Sequence, residues 1–175
     1  MKNFTLFLAL TLCSTASFAL ECAYTPDQEI VRSAENMQEI RKLPASADVN
    51  QEQACGGNLL QLSILRGNPG NFIYLVEHGG DLNQEVSLKG YEIKGAPETV
   101  PFVMFVARYC PDSSIVDYML ENGADFKVKD SLGHDVLWYF EQNPVLRQSY
   151  LTKKGLEGLR PLSDIIMEEK QAAQQ

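Results

Sequence analysis

The residues best suited to bind a metal or to act as nucleophiles are two histidines, His78 and His134, and four cysteines. A structural zinc site needs four such ligands, paired at short sequence spacing. No Cys-x-x-Cys pair occurs, and neither histidine has a neighbour at ligand spacing. The sequence therefore predicts no metal site and no cofactor.

Sequence motifs that carry catalysis are also missing. The chain has no Gly-x-Ser-x-Gly elbow, no Gly-x-x-x-x-Gly-Lys phosphate loop and no His-Glu-x-x-His pair. We interpret His78 as a polar residue that suits a helix C-terminus, and His134 as a solvated loop residue rather than a catalytic base. We therefore expect a protein that is not an enzyme; a hydrolase on a repeat scaffold is the least favoured alternative.

The first nineteen residues have the organisation of a secretory signal peptide. Lys2 precedes an apolar run from Phe4 to Leu12, and the small residues Ser17 and Ala19 suit cleavage after Ala19. The run is too short to span a bilayer. We expect a periplasmic protein, with a lipoprotein anchored through Cys13 as the alternative.

The charge balance restricts the kinds of partner. The chain has 15 basic and 23 acidic residues, a formal net charge of −8, and cleavage would remove Lys2 as well. Such a surface repels phosphate backbones and anionic lipids. We therefore expect another protein, of basic character, as the partner, with no nucleic acid and no membrane insertion; a monomer is favoured.

Three segments of the chain are similar to one another around Asp48, Asp81 and Asp125. The first two aspartates are 33 residues apart, and the second and third are 44 apart, so the second interval carries an insertion of eleven residues. Self-similarity at a fixed period is the sequence signature of repeat architectures. The chain is therefore expected to stack copies of one unit.

Helical patterns flank each copy. Apolar residues recur three and four apart in residues 37–43, 72–78 and 115–122, which places them on one helical face. A second helix is predicted to begin at Asn58 and at Asp135, because their side-chain oxygens can accept hydrogen bonds from exposed backbone amides. The repeating unit is thus helix, turn, helix, loop.

These patterns resemble the ankyrin repeat family. Residues 115–140 are similar to its consensus, with a Gly-Ala-Asp turn at residues 123–125 followed by Asp130, Gly133 and Leu137. The family's Thr-Pro-Leu-His opening is eroded in every copy, and Pro101 is what remains of it in one. The resemblance covers about residues 26–164.

The resemblance implies an all-α fold, an ankyrin-repeat solenoid of about four helix pairs with capping end repeats and one long inter-repeat insertion. The expected organisation is a signal peptide over residues 1–19, a repeat domain over 20–167 and a polar tail over 168–175. Within that domain, residues 161–167 are predicted to form the first helix of the last helix pair.

The insertion, residues 84–99, departs most from the repeat pattern. It contains Tyr91 and Glu92, and long loops of this kind often carry binding functions. A tolerated surface insertion is an equally weighted alternative. The alternating apolar residues from Val86 to Ile93 can also form a short hairpin.

Trp138 lies where the ankyrin family usually has a histidine, a position that faces the concave groove of such a solenoid. Large aromatic side chains with a polar tip commonly anchor interfaces, whereas Tyr139 is assigned to the core. The residues predicted to bind a partner are Tyr91, Glu92, His134 and Trp138.

The ankyrin arrangement also suggests a disulfide. Cys22 precedes the first helix and Cys55 precedes the equivalent helix one repeat later, so both would lie at the same end of the stack, with Cys110 at the other. We predict a Cys22–Cys55 disulfide that staples the first repeat.

Taken together, the sequence predicts a periplasmic ankyrin-repeat module that binds a protein. Its specific form would be an immunity protein that neutralises a toxin acting in the periplasm. The alternative is a stress-protection or chaperone-like partner of another periplasmic protein.

Overall fold

The computed structural model describes residues 24–53, 56–143 and 145. Several predicted features lie outside the described residues: the signal peptide, both cysteines of the disulfide, the first helix of the last helix pair (residues 161–167) and the polar tail. Within these residues the chain forms seven helices and two strands. In chain order they are α1 (Pro26–Ser33), α2 (Met37–Ile40), α3 (Leu59–Arg66), α4 (Pro69–Glu77), β1 (Glu85–Ser87), β2 (Thr99–Pro101), α5 (Phe102–Tyr109), α6 (Ser113–Glu121) and α7 (Val136–Glu141).

Two of the helices, α3 and α7, begin at the side-chain caps that the sequence predicts. Asn58 accepts a hydrogen bond from the backbone N–H of Gln61 at 2.9 Å, and the Gln61 side chain accepts one from the Asn58 N–H at 3.0 Å. Asp135 accepts from the N–H of Trp138 at 3.0 Å. These bonds satisfy amides that the first turn of a helix leaves free. The predicted caps of α3 and α7 are confirmed.

The helices form two layers. Contacts run along one layer from α1 to α3, α5 and α7, and along the other from α2 to α4 and α6. The core lies between them, and its largest fully buried side chains include Phe72, Phe102 and Phe105. Because one helix pair cannot bury its apolar face alone, each pair depends on its neighbours for burial.

The three similar turns are hydrogen-bonded to one another in series. Asn50 Oδ1 accepts from the N–H of Asp81 at 2.8 Å, and Asn50 Nδ2 donates to the carbonyl two residues before Asp81 at 2.8 Å. One copy later, Asn83 Oδ1 accepts from the N–H of Asp125 at 2.8 Å, and its Nδ2 donates to the carbonyl two residues before Asp125 at 3.2 Å. The asparagines therefore transmit the register from turn to turn.

The all-α ankyrin solenoid predicted from the sequence is wrong. Strands β1 and β2 pair antiparallel, with Val86 opposite Val100 and Ser87 opposite Thr99, so the described residues form a mixed α/β fold. The physical reason is that the insertion must return the chain to the point where it left the repeat. Val86 and Val100 are 3% and 0% exposed, and β-branched residues suit such a half-buried strand pair.

The insertion is part of the core rather than a tolerated surface loop. Leu88 and Ile93, in the loop between β1 and β2, are each 7% exposed. The alternating apolar residues from Val86 to Ile93 suggested a short hairpin. Of these residues, Val86 lies in a strand, β1, which pairs with β2. Leu88, Tyr91 and Ile93 lie in the loop between the two strands. The chain from residue 88 to residue 98 is thereby fixed against the helices.

We expect Asn83→Ala to lower the free energy of unfolding by about 1 kcal/mol, since two inter-turn hydrogen bonds are lost. The matched control is Asn122→Ala, because Asn122 Nδ2 donates locally to the Tyr118 carbonyl within the same helix end. Urea denaturation of both variants measures the difference. Equal losses would show that the inter-turn bonds contribute nothing beyond a local cap.

Cys110 is predicted to be unreactive in the folded protein. Its side chain is buried, and burial raises the pKa of its thiol to about 12, so only about one thiol in ten thousand is ionised at pH 8. Ellman's reagent should label Cys110 after denaturation and not before. On denatured protein from which the signal peptide has been removed, the reagent should detect one thiol if Cys22 and Cys55 are paired. Detection of three thiols would contradict the pairing.

Candidate functional site

An open groove of about 950 Å³ lies between the loop at residues 88–98, the end of α5 and the end of α7. It combines apolar walls with charged side chains. Its lining residues are Ser87, Leu88, Lys89, Tyr91, Glu92, Ile93, Lys94, Ala96, Pro97, Glu98, Arg108 and Gln142. A cleft of this size suits a drug-sized molecule or a few residues of a polypeptide.

Tyr91 forms one wall of the groove and also packs on the core. Its ring meets Phe105 edge-on at 5.1 Å between centroids and lies 5.9 Å from Tyr109. A Cβ added to Gly57, whose φ is +73°, would lie 2.8 Å from the Tyr91 hydroxyl oxygen, so the close approach requires glycine. Burial raises the pKa of Tyr91. The tyrosine is held in place and keeps part of its surface exposed.

Glu92 is fixed through its backbone rather than its side chain. Its carbonyl accepts a hydrogen bond from the Tyr109 hydroxyl at 3.1 Å, which ties the loop to α5. The side chain is exposed, and its carboxylate forms no ion pair with any described residue. Glu92 can therefore offer an unpaired negative charge at a fixed position.

Asp130 organises the turn that precedes α7. Its fully buried carboxylate accepts from the N–H groups of Leu132 and His134, each at 2.9 Å, from His134 Nδ1 at 2.8 Å and from the Tyr139 hydroxyl at 2.6 Å. Burial alone would raise the pKa of Asp130, but the hydrogen bonds from Tyr139, His134 and the backbone lower it below its ordinary value. Burial and the contact with Asp130 raise the pKa of Tyr139.

His134 and Trp138 stack on each other above this turn. Their ring centroids are 4.0 Å apart with 12° between the planes, and Tyr139 meets the Trp138 ring edge-on at 4.8 Å. The His134 side chain is 27% exposed. His134 lies in the loop before α7, as expected, but its ring is only partly solvated, because Trp138 covers one face and Nδ1 is bound to Asp130. Tyr139 is fully buried, which confirms its assignment to the core.

The structure brings the predicted partner-binding residues to one side of the molecule. Tyr91 and Glu92 line the groove. Trp138 lies beside it, since a Cβ on Gly95 would be 3.5 Å from the indole and Gln142, which lines the groove, donates to the Trp138 carbonyl at 3.2 Å. His134 reaches the site only through its stack on Trp138.

Arg108 is a charged lining residue outside the insertion that the sequence did not lead us to predict. It lies in the last turn of α5, where a basic residue is ordinarily explained by the helix dipole. The spacing of the buried residues on α5 could have shown that Arg108 borders the insertion, but only if the path of the insertion were known.

The described residues place no nucleophile in hydrogen-bond contact with His134. Asp130 orients His134 as a carboxylate orients a catalytic histidine, yet no hydroxyl or thiol of the described chain is hydrogen-bonded to His134. Across residues 24–53 and 56–143, no group of His, Cys, Asp and Glu side chains is arranged to hold a metal ion. No helix in the same part of the chain has the length and apolarity to cross a membrane.

We expect Asp130→Asn to lower the free energy of unfolding at pH 7 by about 2 kcal/mol, because charge-assisted hydrogen bonds within a buried turn are lost. The control is Asp135→Asn, which keeps an equally good helix cap and should change stability little.

The deficit of Asp130→Asn should depend on pH. Because folding lowers the pKa of Asp130, its ionised form stabilises the fold above its ordinary pKa of 3.8, and this contribution is lost as the pH falls through the lowered value. Thermal unfolding between pH 7 and pH 2 should show the two proteins converging in acid. A constant gap would contradict the assignment.

Comparison with known proteins adds no relative. No protein-family model matches the chain, and no curated protein is similar to it.

Proposed function

We propose that this chain is a protein-binding module whose partner inserts a segment into the groove between residues 88–98, α5 and α7. The observation that carries the proposal is the groove itself, a cleft of about 950 Å³ with the half-buried ring of Tyr91 in one wall and with charged side chains that form no ion pair within the described residues. Tyr91, Glu92 and Trp138 would contact the partner, and His134 would support Trp138.

Two physical features support binding at this place. The walls are held by the β1–β2 pair and by the Tyr109 bond to Glu92, so little conformational freedom is lost when a partner docks. Aromatic side chains in partly desolvated positions commonly supply most of the affinity at protein interfaces. Tyr91 and Trp138 are both aromatic and both partly buried.

The charge of the chain favours a partner that is basic overall. A net charge of −8 attracts such a protein and speeds its association, and Glu92 offers a carboxylate to a basic residue of it. With the export signal predicted at residues 1–19, these features favour an immunity protein that blocks a toxin in the periplasm. A toxin gene beside the gene for this chain would support that form of the proposal.

We expect Glu92→Lys and Trp138→Phe each to weaken partner capture by about tenfold, because one removes a rim charge and the other shrinks an anchor ring. Immobilised full-length chain and periplasmic extract at physiological salt are used, with retained proteins quantified by mass spectrometry. Glu121→Lys, an equal charge change at an exposed position outside the groove, is the control.

Retention that does not differ between Glu92→Lys and Glu121→Lys, with both variants folded by circular dichroism, would place any binding surface elsewhere. Retention of no protein by the unaltered chain would count against a binding module in this compartment.

A further inference from the structure

Arg108 places a guanidinium at the groove. Its Nε is buried and has no hydrogen-bond partner among the described residues, and the guanidinium lies 4.9 Å from the centre of the Tyr109 ring. Within the described part of the chain it forms no ion pair. The contact with the ring supports the flat face of the guanidinium, whose N–H donors lie in the plane of the group and point away from the ring.

The charge around Arg108 is opposite in sign to that of the whole chain. The groove is lined by three basic residues, Lys89, Lys94 and Arg108, and by two acidic ones, Glu92 and Glu98, whereas the chain carries −8. None of the five forms an ion pair with a described residue. An acidic protein thus keeps a locally positive cleft.

A buried donor on a charged group is costly to leave unpaired. Native proteins satisfy most such groups, and an exception commonly marks a functional position. The guanidinium is planar and matches a carboxylate with two parallel hydrogen bonds. A carboxylate entering the groove would meet the terminal N–H groups of Arg108, which forms no ion pair within the described residues.

We infer that the groove binds an acidic side chain, Asp or Glu, from an extended segment of the protein partner, with Arg108 as its anchor. This inference rests on the proposed function and assigns the chemistry recognised inside the groove. Leu88, Ile93 and Pro97 line the same cleft and would cover the apolar part of that segment. The partner can be basic overall and still carry this one acidic residue. Glu92, which lines the same groove, would face one of its basic residues.

The test begins with a random twelve-residue peptide library fused to phage coat protein through its C-terminus, so that no displayed peptide has a free terminal carboxylate. Full-length chain is the bait. We expect the enriched peptides to share an Asp or Glu at one aligned position. A library that yields no binder, or binders without a shared acidic residue, overturns the inference.

Affinities of one enriched peptide, synthesised with an amidated C-terminus, are then measured by fluorescence polarisation. Changing the acidic residue of the peptide to its amide should weaken binding to the unaltered chain by about tenfold. The same peptide change should have little effect on binding to the Arg108→Gln variant, because the carboxylate and the guanidinium interact directly. Arg108→Lys keeps the charge and should lie between them. Arg41→Gln removes an exposed charge outside the groove and should bind normally.

Equal affinity for Arg108→Gln and the unaltered chain overturns the inference, as does tighter binding of a peptide with a free terminal carboxylate that no longer needs the acidic side chain. Thermal unfolding of each variant confirms that it is folded. Partner capture that depends on Glu92 and not on Arg108 would leave the proposed function standing and reject this inference alone.

Discussion

The burial of α5 is the constraint on which the rest of the structure depends. Six of its eight residues, Phe102 to Ala107, are buried, and it contacts α3 and α7 as well as both strands. A helix that is apolar on nearly all sides must be covered on nearly all sides. The neighbouring helices cover part of it, and the hairpin at residues 85–101 covers what they leave.

This constraint explains why the insertion is ordered and why the groove lies where it does. The chain leaves the repeat at β1 and returns at β2, directly before α5, so the loop between the strands is held over that helix. Tyr91 packs on Phe105, and the Tyr109 hydroxyl bonds to the Glu92 carbonyl. Arg108, at the partly exposed end of α5, is left facing the cleft.

The sequence predicts local structure well where a single residue determines it. Asn58 and Asp135 were recognisable as caps because a short polar side chain before an apolar helix has few other uses, and the repeated aspartates marked similar turns. The strands were misjudged because β1 and β2 are three residues each and lie on either side of the loop. No feature of the local sequence indicates that Val86 and Val100 pair with each other, since pairing across such a loop depends on tertiary packing.

The candidate site was predictable in part for the same reason. Tyr91, Glu92 and Trp138 attracted attention by residue type and by their place in an insertion or on a helix. Arg108 did not, because its importance comes from its place at the groove and from the lack of an ion pair within the described residues. Both are properties of the folded surface and not of residues 102–109. A charged residue at a helix end has an ordinary explanation until its surroundings are known.

The Asp130 network fixes a turn and the aromatic rings beside the groove. The Asp130 carboxylate accepts two backbone N–H groups, His134 Nδ1 and the Tyr139 hydroxyl, and Trp138 covers one face of the imidazole. A carboxylate bonded to Nδ1 fixes the orientation of an imidazole ring. Through the stack of the two rings, the same contacts fix the indole at the edge of a charged cleft, and a rigid aromatic ring in that place suits the protein-binding role that we propose.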